Sequence, residues 1–360
     1  MAVELDNVGL TVRGAVHIHP TTLRLERGTI NVLLGATLSG KTTLMRLLAG
    51  LDSPSSGRVL YDGRDMTHVP VRKRNVAMVY QQFINYPALS VYENIASPLR
   101  VQGVAKAEIE AKVARAAALL RLEPYLQRTP LELSGGQQQR TAIARALVKG
   151  ADLVLLDEPL ANLDYKLREE LRAELPRIFS ESGAVFVYAT TEPSEALLLG
   201  GNTATLYQGH VTQYGRTVDV YRHPRDRITA EVFSDPPMNF VDLQLDGTYA
   251  HLPNGQNIPQ VGTLKGLANG SYVVGFRPNH VAINNNRPGL VPVAAITAVS
   301  EITGSESFIH VDVSGFRWIA LEAGVYELNP GTELTIYLDP ARFFVFDGAG
   351  RLVRAPQSEG

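Results

Sequence analysis

Residues 35–42 of this chain read Gly-Ala-Thr-Leu-Ser-Gly-Lys-Thr, and this stretch decides the fold. It follows the apolar run 29–34, which is typical of a buried parallel strand, and precedes a helical pattern that ends at Gly50. A loop of this kind wraps phosphates with its backbone N–H groups, its lysine reaches the β and γ oxygens, and the following hydroxyl can bind Mg²⁺. We expect a nucleotide site formed by Gly35, Thr37, Leu38, Ser39, Gly40, Lys41, Thr42 and Thr43.

A second apolar run, Leu153–Asp157, predicts a buried strand that ends in two carboxylates. Asp157 suits a Mg²⁺-bound water, and Glu158 suits a general base that orients the attacking water. Paired acidic residues are common in turns, but not after a phosphate loop. A third apolar strand, 76–80, leads into Gln81, whose amide could reach the same ion; a solvated loop glutamine is the alternative.

Residues 133–140 read Leu-Ser-Gly-Gly-Gln-Gln-Gln-Arg and open a helical pattern over 137–147. Gly135 and Gly136 leave bare N–H groups at the positive end of a helix, which favours an anion. Alone, these residues would be an ordinary helix start. Their fixed order between a phosphate loop and a carboxylate pair makes that interpretation improbable.

Together these motifs resemble those of ABC-type ATPases. In that family the stretch at Ser134, Gly135, Gly136 and Gln137 reaches across a dimer to ATP held by the other subunit, so one chain carries half of an active site. The resemblance also implies that Asp164, in the run 161–164, contacts the facing subunit. It implies ATP and Mg²⁺ as cofactors, with Thr42, Gln81 and Asp157 at the metal and Glu158, Thr191 and Gln81 in catalysis.

One departure from the family falls after the predicted strand 184–188. The family has a histidine there, and this chain has Thr191. Losing one donor aimed at a developing charge can cost about 2.7–4 kcal/mol. We therefore expect an impaired site unless another group compensates, and we hypothesise that the chain is the weaker half of a heterodimeric pair. A slow homodimer is equally open.

Two further departures concern the bound nucleotide. The family usually stacks adenine on an aromatic residue near Val12, a contact worth about 1–3 kcal/mol, and this chain has none at that point. His17 or His19 could substitute, although each is more readily an ordinary loop or strand residue. Leu38 replaces a frequent glycine, and its N–H remains available to phosphate.

The resemblance assigns a permease-binding role to the segment after Gln81. Phe83, Tyr86, Pro87 and Leu89 lie where the family forms a groove for a helix of a transmembrane permease, whereas composition alone favours core positions. The clearest helical pattern, 105–122, has one apolar face. It belongs to an expected all-helical insertion at about 84–150.

A proline-rich break at 235–240 predicts a second domain. We expect an α/β P-loop ATPase domain at 1–235 and a β-rich, OB-like barrel at 236–360, with strands at 272–276, 308–313, 318–321, 334–338 and 343–346. The stretches 275–281 and 338–342 resemble the C-terminal barrel of ATPases from carbohydrate importers. A scaffolding role is the default for this domain, and a regulatory one is open.

Composition limits the alternatives. At 360 residues two domains are expected, and a net charge of −2 argues against a nucleic-acid partner. No cysteine is present, which excludes disulfides. We expect no signal peptide at the N-terminus, and no apolar run nears the roughly 20 residues that span a bilayer. Membrane association is therefore expected through a partner.

The whole-chain pattern resembles ATPases of glycerol or glycerol-phosphate uptake. The resemblance implies an ATP-hydrolysing subunit of a bacterial ABC importer, peripheral on the cytoplasmic face of the plasma membrane. Its implied partners are two permease subunits, a second ATPase subunit and, indirectly, a periplasmic solute-binding protein. Rivals are a soluble ABC protein of DNA repair or translation, and a kinase or GTPase, which residues 133–140 disfavour.

Overall fold

The computed structural model describes residues 2–82, 84–161, 163–285 and 287–357, apart from the side chains of residues 180–182. The chain forms two compact units, Met1–Thr217 and Val218–Gly360. The first contains β1 Ala2–Val12, β2 Ala15–Glu26, β3 Ile30–Leu34, α1 Lys41–Ala49, β4 Ser56–Tyr61, β5 Arg64–Asp65, β6 Val76–Val79, α2 Val91–Val101, α3 Lys106–Leu119, α4 Gly135–Val148, β7 Leu153–Asp157, α5 Tyr165–Ser182, β8 Val185–Thr190, α6 Pro193–Leu199, β9 Asn202–Tyr207 and β10 His210–Arg216.

A six-stranded sheet with the order β10-β9-β3-β8-β7-β6 is the framework of the first unit. Its strands β3, β8, β7 and β6 run parallel, with Leu34 beside Thr190, Asp157 beside Ala189 and β6 in register with β7. Ligands of open parallel sheets bind beyond the carboxyl ends of the strands. The register therefore brings the segments that follow these four strands to one edge of the sheet.

A second sheet with the order β2-β1-β4-β5 shares its hydrophobic core with α1 and the central sheet. Its longest strands are longer than the sequence indicates, because β1 and β2 form a continuous hairpin joined by Arg13 and Gly14. Pro20 lies inside β2. Proline is tolerated there because β2 is an edge strand of this sheet.

The helical insertion contains α2, α3 and α4. Helix α3 buries Ile109 and Val113 on one face, as the sequence periodicity predicts. Pro98 lies inside α2, a helix that the sequence did not indicate. Of the expected groove residues, Phe83 lies outside the described residues, as does Asn162 of the run 161–164. Among the described residues, no helix is both long and apolar enough to cross a membrane.

The second unit contains α7 Thr217–Arg222 from its second residue on, α8 Arg227–Val232, β11 Asn239–Leu245, β12 Tyr249–His251, β13 Asn257–Pro259, β14 Gly270–Phe276, β15 Val281–Ala282, β16 Val291–Ile302, β17 Glu306–Val313, β18 Phe316–Ala323, β19 Glu333–Leu338, β20 Phe344–Phe346 and β21 Leu352–Arg354. Two sheets, β13-β12-β11-β14-β20-β21 and β15-β19-β16-β17-β18, enclose one core around Trp318. This barrel-like unit and the α/β unit together confirm the predicted fold class.

The second unit begins before the proline-rich break because residues ahead of that break pair with its last strands. The backbone N–H of Arg227 donates to the carbonyl of Gly350 at 2.8 Å, and that of Leu352 donates to the carbonyl of Arg225 at 3.0 Å. The functional domain limits 1–235 and 236–360 stay a prediction.

Candidate nucleotide site

The phosphate loop depends on two left-handed residues and on a glycine without space for a side chain. A Cβ on Gly35 would lie 2.4 Å from the carbonyl oxygen of Leu206, so only glycine fits. Gly40, at φ 109°, leads into α1, which begins at Lys41. Leu38 adopts φ 66°, a conformation that costs a non-glycine residue roughly 1–3 kcal/mol. Leu38 therefore adopts the left-handed backbone conformation that a glycine would adopt at this position.

Lys41 lies across this loop with its amine enclosed by oxygen atoms. Its Nζ donates to the carbonyls of Gly35 at 2.7 Å and Ala36 at 3.1 Å, and lies 3.6 Å from Oε1 of Glu158. Burial lowers the pKa of Lys41, while Glu158 and Asp157 oppose that shift. Two carbonyls of the loop and one carboxylate therefore hold the Lys41 amine in place.

Four oxygen-bearing side chains meet beside the lysine. Thr42 Oγ1 donates to Oδ2 of Asp157 at 2.7 Å, and Gln81 Nε2 donates to Oε2 of Glu158 at 3.0 Å. Burial raises the pKa of Asp157, although the Thr42 hydrogen bond and Lys41 oppose the rise. The structure thus brings together Lys41, Thr42, Gln81 and both carboxylates, all on the strand-end edge.

Glu158 is held in an unusual backbone conformation. Its φ is 46°, and its N–H donates to the carbonyl of Ala189 at 3.0 Å, which fixes it against the end of β8. Gln139 from α4 approaches its carbonyl at 3.5 Å. Strained residues of this kind concentrate at functional sites, and here the strain turns the carboxylate toward Lys41.

Ser134 and Gln137 form a reciprocal capping box at the start of α4. Ser134 Oγ accepts from the Gln137 N–H at 3.4 Å, and Gln137 Oε1 accepts from the Ser134 N–H at 3.0 Å. Ser134 and Gly135 are exposed, and Gly136 is half-buried. Asp164 caps α5 with a single hydrogen bond, accepting from the Leu167 N–H at 3.0 Å. Both helix starts therefore make their hydrogen bonds locally.

Thr191 is exposed at the end of β8, and sequence reasoning did not identify the hydrogen-bond and ion-pair network behind it. Thr190 Oγ1 donates to the buried Oε2 of Glu195 at 2.6 Å and accepts from the Glu192 N–H at 3.0 Å. Arg172 Nη2 reaches Glu192 at 2.7 Å and Glu195 at 2.8 Å. These contacts anchor the turn that carries Thr191.

The same turn is tied to the segment before α5. Arg168 Nη2 donates to the carbonyl of Leu163 at 3.2 Å, and its Nη1 lies 3.8 Å from Glu192. Clustered acidic residues after a strand end, with arginines one turn apart on a preceding helix, are the only signal that could have indicated this network. That signal does not specify which charges meet.

The expected base-binding region is apolar without being aromatic. Val12 and Val16 are exposed at the tip of the β1–β2 hairpin. His19 stacks on His210, with ring centroids 3.5 Å apart and 12° between the planes. One face of His19 is therefore already covered. The β9–β10 turn beside this pair donates from the Gly209 N–H to the Ser39 carbonyl at 2.9 Å.

The chain is similar to known ABC transporter cassettes. The ABC transporter model matches residues 18–161. A bacterial ABC transporter cassette solved as a dimer is 27% identical with a TM-score of 0.55, covering 60% of this chain and 98% of that one. The same cassette solved with ADP and Pi is 28% identical with a TM-score of 0.55, covering 60% and 98%.

Curated relatives match almost end to end. The sn-glycerol-3-phosphate import ATP-binding protein UgpC of Salmonella typhimurium is 35% identical over 92% of this chain and 93% of its own length. Its Paracoccus denitrificans counterpart is 34% identical over 95% and 96%. The chain belongs to the family of ABC transporter ATP-binding subunits. It binds ATP and hydrolyses it to drive import, as the sequence predicts.

Proposed function

We propose that this subunit holds Mg²⁺ and ATP between its own phosphate loop and the Ser134–Gln137 turn of a companion subunit, and that it powers uptake of glycerol phosphate or a related polyol or sugar. The observation that carries the proposal is the convergence of Lys41, Thr42, Gln81, Asp157 and Glu158. The names of the relatives support the substrate class, and the dimeric cassette supports pairing of subunits.

The residues at the strand-end edge fit a magnesium ion. Mg²⁺ takes hard oxygen ligands and usually binds through one or two carboxylates plus substrate phosphates. Thr42 and Asp157 already share a hydrogen bond at 2.7 Å, and the Gln81 amide lies next to Glu158. Thr42, Asp157 and Gln81 would hold the ion, which when bound neutralises charge on the β and γ oxygens.

Hydrolysis then falls to the residues around the γ-phosphate. Lys41 gives up its carbonyl partners and donates to the β and γ oxygens. Gln81 leaves Glu158, whose carboxylate accepts a hydrogen bond from the attacking water and takes its proton as the oxygen–phosphorus bond forms. The bond from the γ-phosphorus to ADP breaks, and ADP and phosphate leave. Asp164 and the Ser134 turn act on the companion's nucleotide.

Thr191 makes each site of this kind slow. Its hydroxyl is too short to reach the γ-phosphate as a histidine side chain would. None of the described residues on this turn, 190–196, is a histidine. We expect Thr191→His to raise phosphate release by about a hundredfold or more, the effect of one aimed donor. Steady-state ATPase assays measure it, with Thr191→Ser as the control that keeps the hydroxyl. Unchanged turnover in Thr191→His would contradict the role assigned to position 191.

The groove that contains Tyr86 is the proposed permease contact. A cavity of about 440 Å³ lies between β6, α2 and α4, with Met78, Tyr86 and Lys149 among its lining residues. Arg145 stiffens it, because its guanidinium stacks 5.1 Å from the Tyr86 ring and donates to Asn94 Oδ1 at 3.1 Å. A helix of a membrane subunit seated there would sense the movement of Gln81. This contact would place the subunit on the cytoplasmic face of the membrane.

Purification from native membranes tests the whole proposal. We expect the tagged chain to bring down two permease subunits and an ATP-binding companion. In proteoliposomes with a solute-binding protein, sn-glycerol-3-phosphate should stimulate ATP hydrolysis more than maltose does. Lys41→Ala should abolish hydrolysis without changing the subunits recovered. Recovery of nucleic-acid-processing or ribosomal proteins instead of permeases would overturn the proposal.

A further inference from the structure

Three of the four most exposed large apolar side chains of the described residues lie in or near the motifs assigned to ATP. In the described part of the chain, four such side chains are more than three-quarters exposed: Leu38 at 95%, Val101 at 90%, Leu131 at 85% and Tyr165 at 78%. Val101 lines the groove that contains Tyr86, the proposed permease contact. The other three belong to the phosphate loop, the turn before Ser134 and the residue after Asp164.

Leu38 combines strain with exposure. Its backbone holds φ 66°, and its side chain gains almost no burial within the chain. A glycine would adopt this φ at no steric cost. Leu38 belongs to the loop whose N–H groups wrap the phosphates, so its exposed side chain is available to a second protein that closes over the nucleotide.

Leu131 and Tyr165 lie close in sequence to Ser134 and Asp164, the two residues that the proposed sandwich turns toward the companion's nucleotide. Leu131 lies in the short turn 130–132. The Thr129 backbone N–H donates to the Glu132 carboxylate at 2.7 Å, and this hydrogen bond stabilises the turn. Tyr165 is the first residue of α5, directly after the cap Asp164. Both side chains therefore project from rigid helix starts rather than from open loops.

We infer that Leu38 of one chain packs against Leu131 or Tyr165 of a second copy of this chain when ATP closes the dimer. This inference rests on the proposed sandwich of ATP between subunits. Both partners of the contact are present on one polypeptide, which is the requirement for a twofold interface in which residue i meets j and j meets i. The apolar contact offsets the cost of the left-handed leucine only in the closed dimer.

The chain has no cysteine, so single-cysteine variants report this contact directly. In a Glu158→Gln background that slows hydrolysis, a Leu38→Cys chain is mixed with a differently tagged Leu131→Cys or Tyr165→Cys chain and oxidised with and without Mg-ATP. We expect an ATP-dependent disulfide between the two tags in at least one mixture, because bridging needs Cα atoms within about 7 Å. Val101→Cys, equally exposed, should give none with Leu38→Cys.

Affinity gives an independent measure. We expect Leu131→Gln to leave ATP binding by the monomer unchanged and to weaken ATP-dependent dimerisation about tenfold or more, the effect of exposing one leucine. In a double-mutant cycle, Leu38→Gly should cause little further loss of dimer affinity when Leu131→Gln or Tyr165→Ser is already present. The reason is that the effects of substituting two residues in contact are not additive. Fully additive losses in both cycles would overturn the contact.

The outcomes separate this inference from the proposed function. If light scattering shows an ATP-dependent dimer of the Glu158→Gln chain but neither mixture crosslinks, the sandwich stands and the Leu38 contact is wrong. If the chain stays monomeric with saturating Mg-ATP while a different ATP-binding subunit co-purifies with it, the second copy is wrong as the occupant. If no ATP-binding companion is found by either route, the proposed function itself fails.

Discussion

The backbone conformation of Glu158 fixes the position of the carboxylate that we propose as the general base. Its left-handed φ of 46° and its bond to Ala189 fix a carboxylate between Lys41 and Gln81. The Lys41 amine and the Glu158 carboxylate thus pair with each other inside the chain. We therefore expect ATP to exchange the Lys41 contacts for phosphate contacts, and the buried Ser39 hydroxyl of the phosphate loop has no hydrogen-bond partner within the described residues.

Replacing the proposed base tests this role at the residue scale. We expect Glu158→Gln to lower phosphate release by about a hundredfold to ten-thousandfold, the usual worth of a general base, while ATP still binds. A phosphate-release assay and nucleotide binding on the same preparation measure both properties. Glu110→Gln, which removes only a solvent-exposed partner of Lys106, should leave the rate unchanged. Wild-type turnover in Glu158→Gln would refute the assignment.

The raised pKa of Asp157 leads to a prediction about how the stability of the fold depends on pH. Burial raises its pKa above the ordinary 3.8. The folded chain thus holds this proton more tightly than the unfolded chain. The group's contribution to stability is fully present below its unfolded pKa and is lost as the pH rises through the folded pKa.

Asparagine has the shape of aspartate but carries no charge, so Asp157→Asn removes the loss of stability that accompanies ionisation of Asp157. We expect Asp157→Asn to raise the urea midpoint of the nucleotide-free protein at about pH 7.5, with the gain shrinking toward about pH 4. The same variant should lose the Mg-dependent part of stabilisation by ATP, which a merely structural aspartate would not do. A lower midpoint than wild type at neutral pH would contradict the burial argument.

At the scale of elements, one ion network joins α5, β8 and α6. Arg172 lies among Glu169, Glu192 and Glu195, and Glu195 also accepts from Tyr188 and Thr190. Burial raises the pKa of the Tyr188 hydroxyl well above its usual value, with the Glu195 carboxylate adding to the effect. The network fixes the turn before α6, and so fixes where Thr191 points.

Breaking this network should cost far more than breaking a surface pair on the same helix. We expect Arg172→Met to lower the free energy of unfolding by about 3–5 kcal/mol, because it leaves the buried Glu195 charge uncompensated. Arg177→Met, which cuts an exposed pair with Glu174, should cost about 0–1 kcal/mol. Urea titrations of both variants decide the matter. Equal losses would refute the claim that Arg172 stabilises the fold through a buried ion pair with Glu195.

Sequence patterns predicted the elements that lead into the site better than those that support it. Leu153–Asp157 forms the strand that its unbroken apolar run indicates, because a strand buried on both faces cannot alternate. The β1–β2 hairpin exceeds the predicted strands, since its polar residues face solvent and Pro20 lies on an edge. The Arg172 network was missed because tertiary packing alone brings those charges together.

At the scale of the whole molecule, each unit has its own hydrophobic core. One core joins the β1–β2 hairpin, α1 and the central sheet, and another joins the two sheets of the second unit. Trp318 is the only tryptophan of the chain and lies in that second core, its ring edge-on to Phe276 at 5.0 Å. Its indole N–H donates to the Phe240 carbonyl at 3.2 Å. Its fluorescence therefore reports unfolding of the second unit alone.

This placement makes the effect of ATP on the two units separable. Saturation at about a hundred times Kd stabilises a binding unit by about 2.7 kcal/mol. For a unit of this size that free energy raises the midpoint by roughly 5–10 °C. In the Glu158→Gln chain we expect calorimetry to show this shift for the unit that carries Lys41, while the Trp318 transition stays in place. Lys41→Ala should remove the calorimetric shift. If Trp318 fluorescence moves together with the calorimetric peak, the two cores unfold as one cooperative structure, and nucleotide binding is felt throughout the chain.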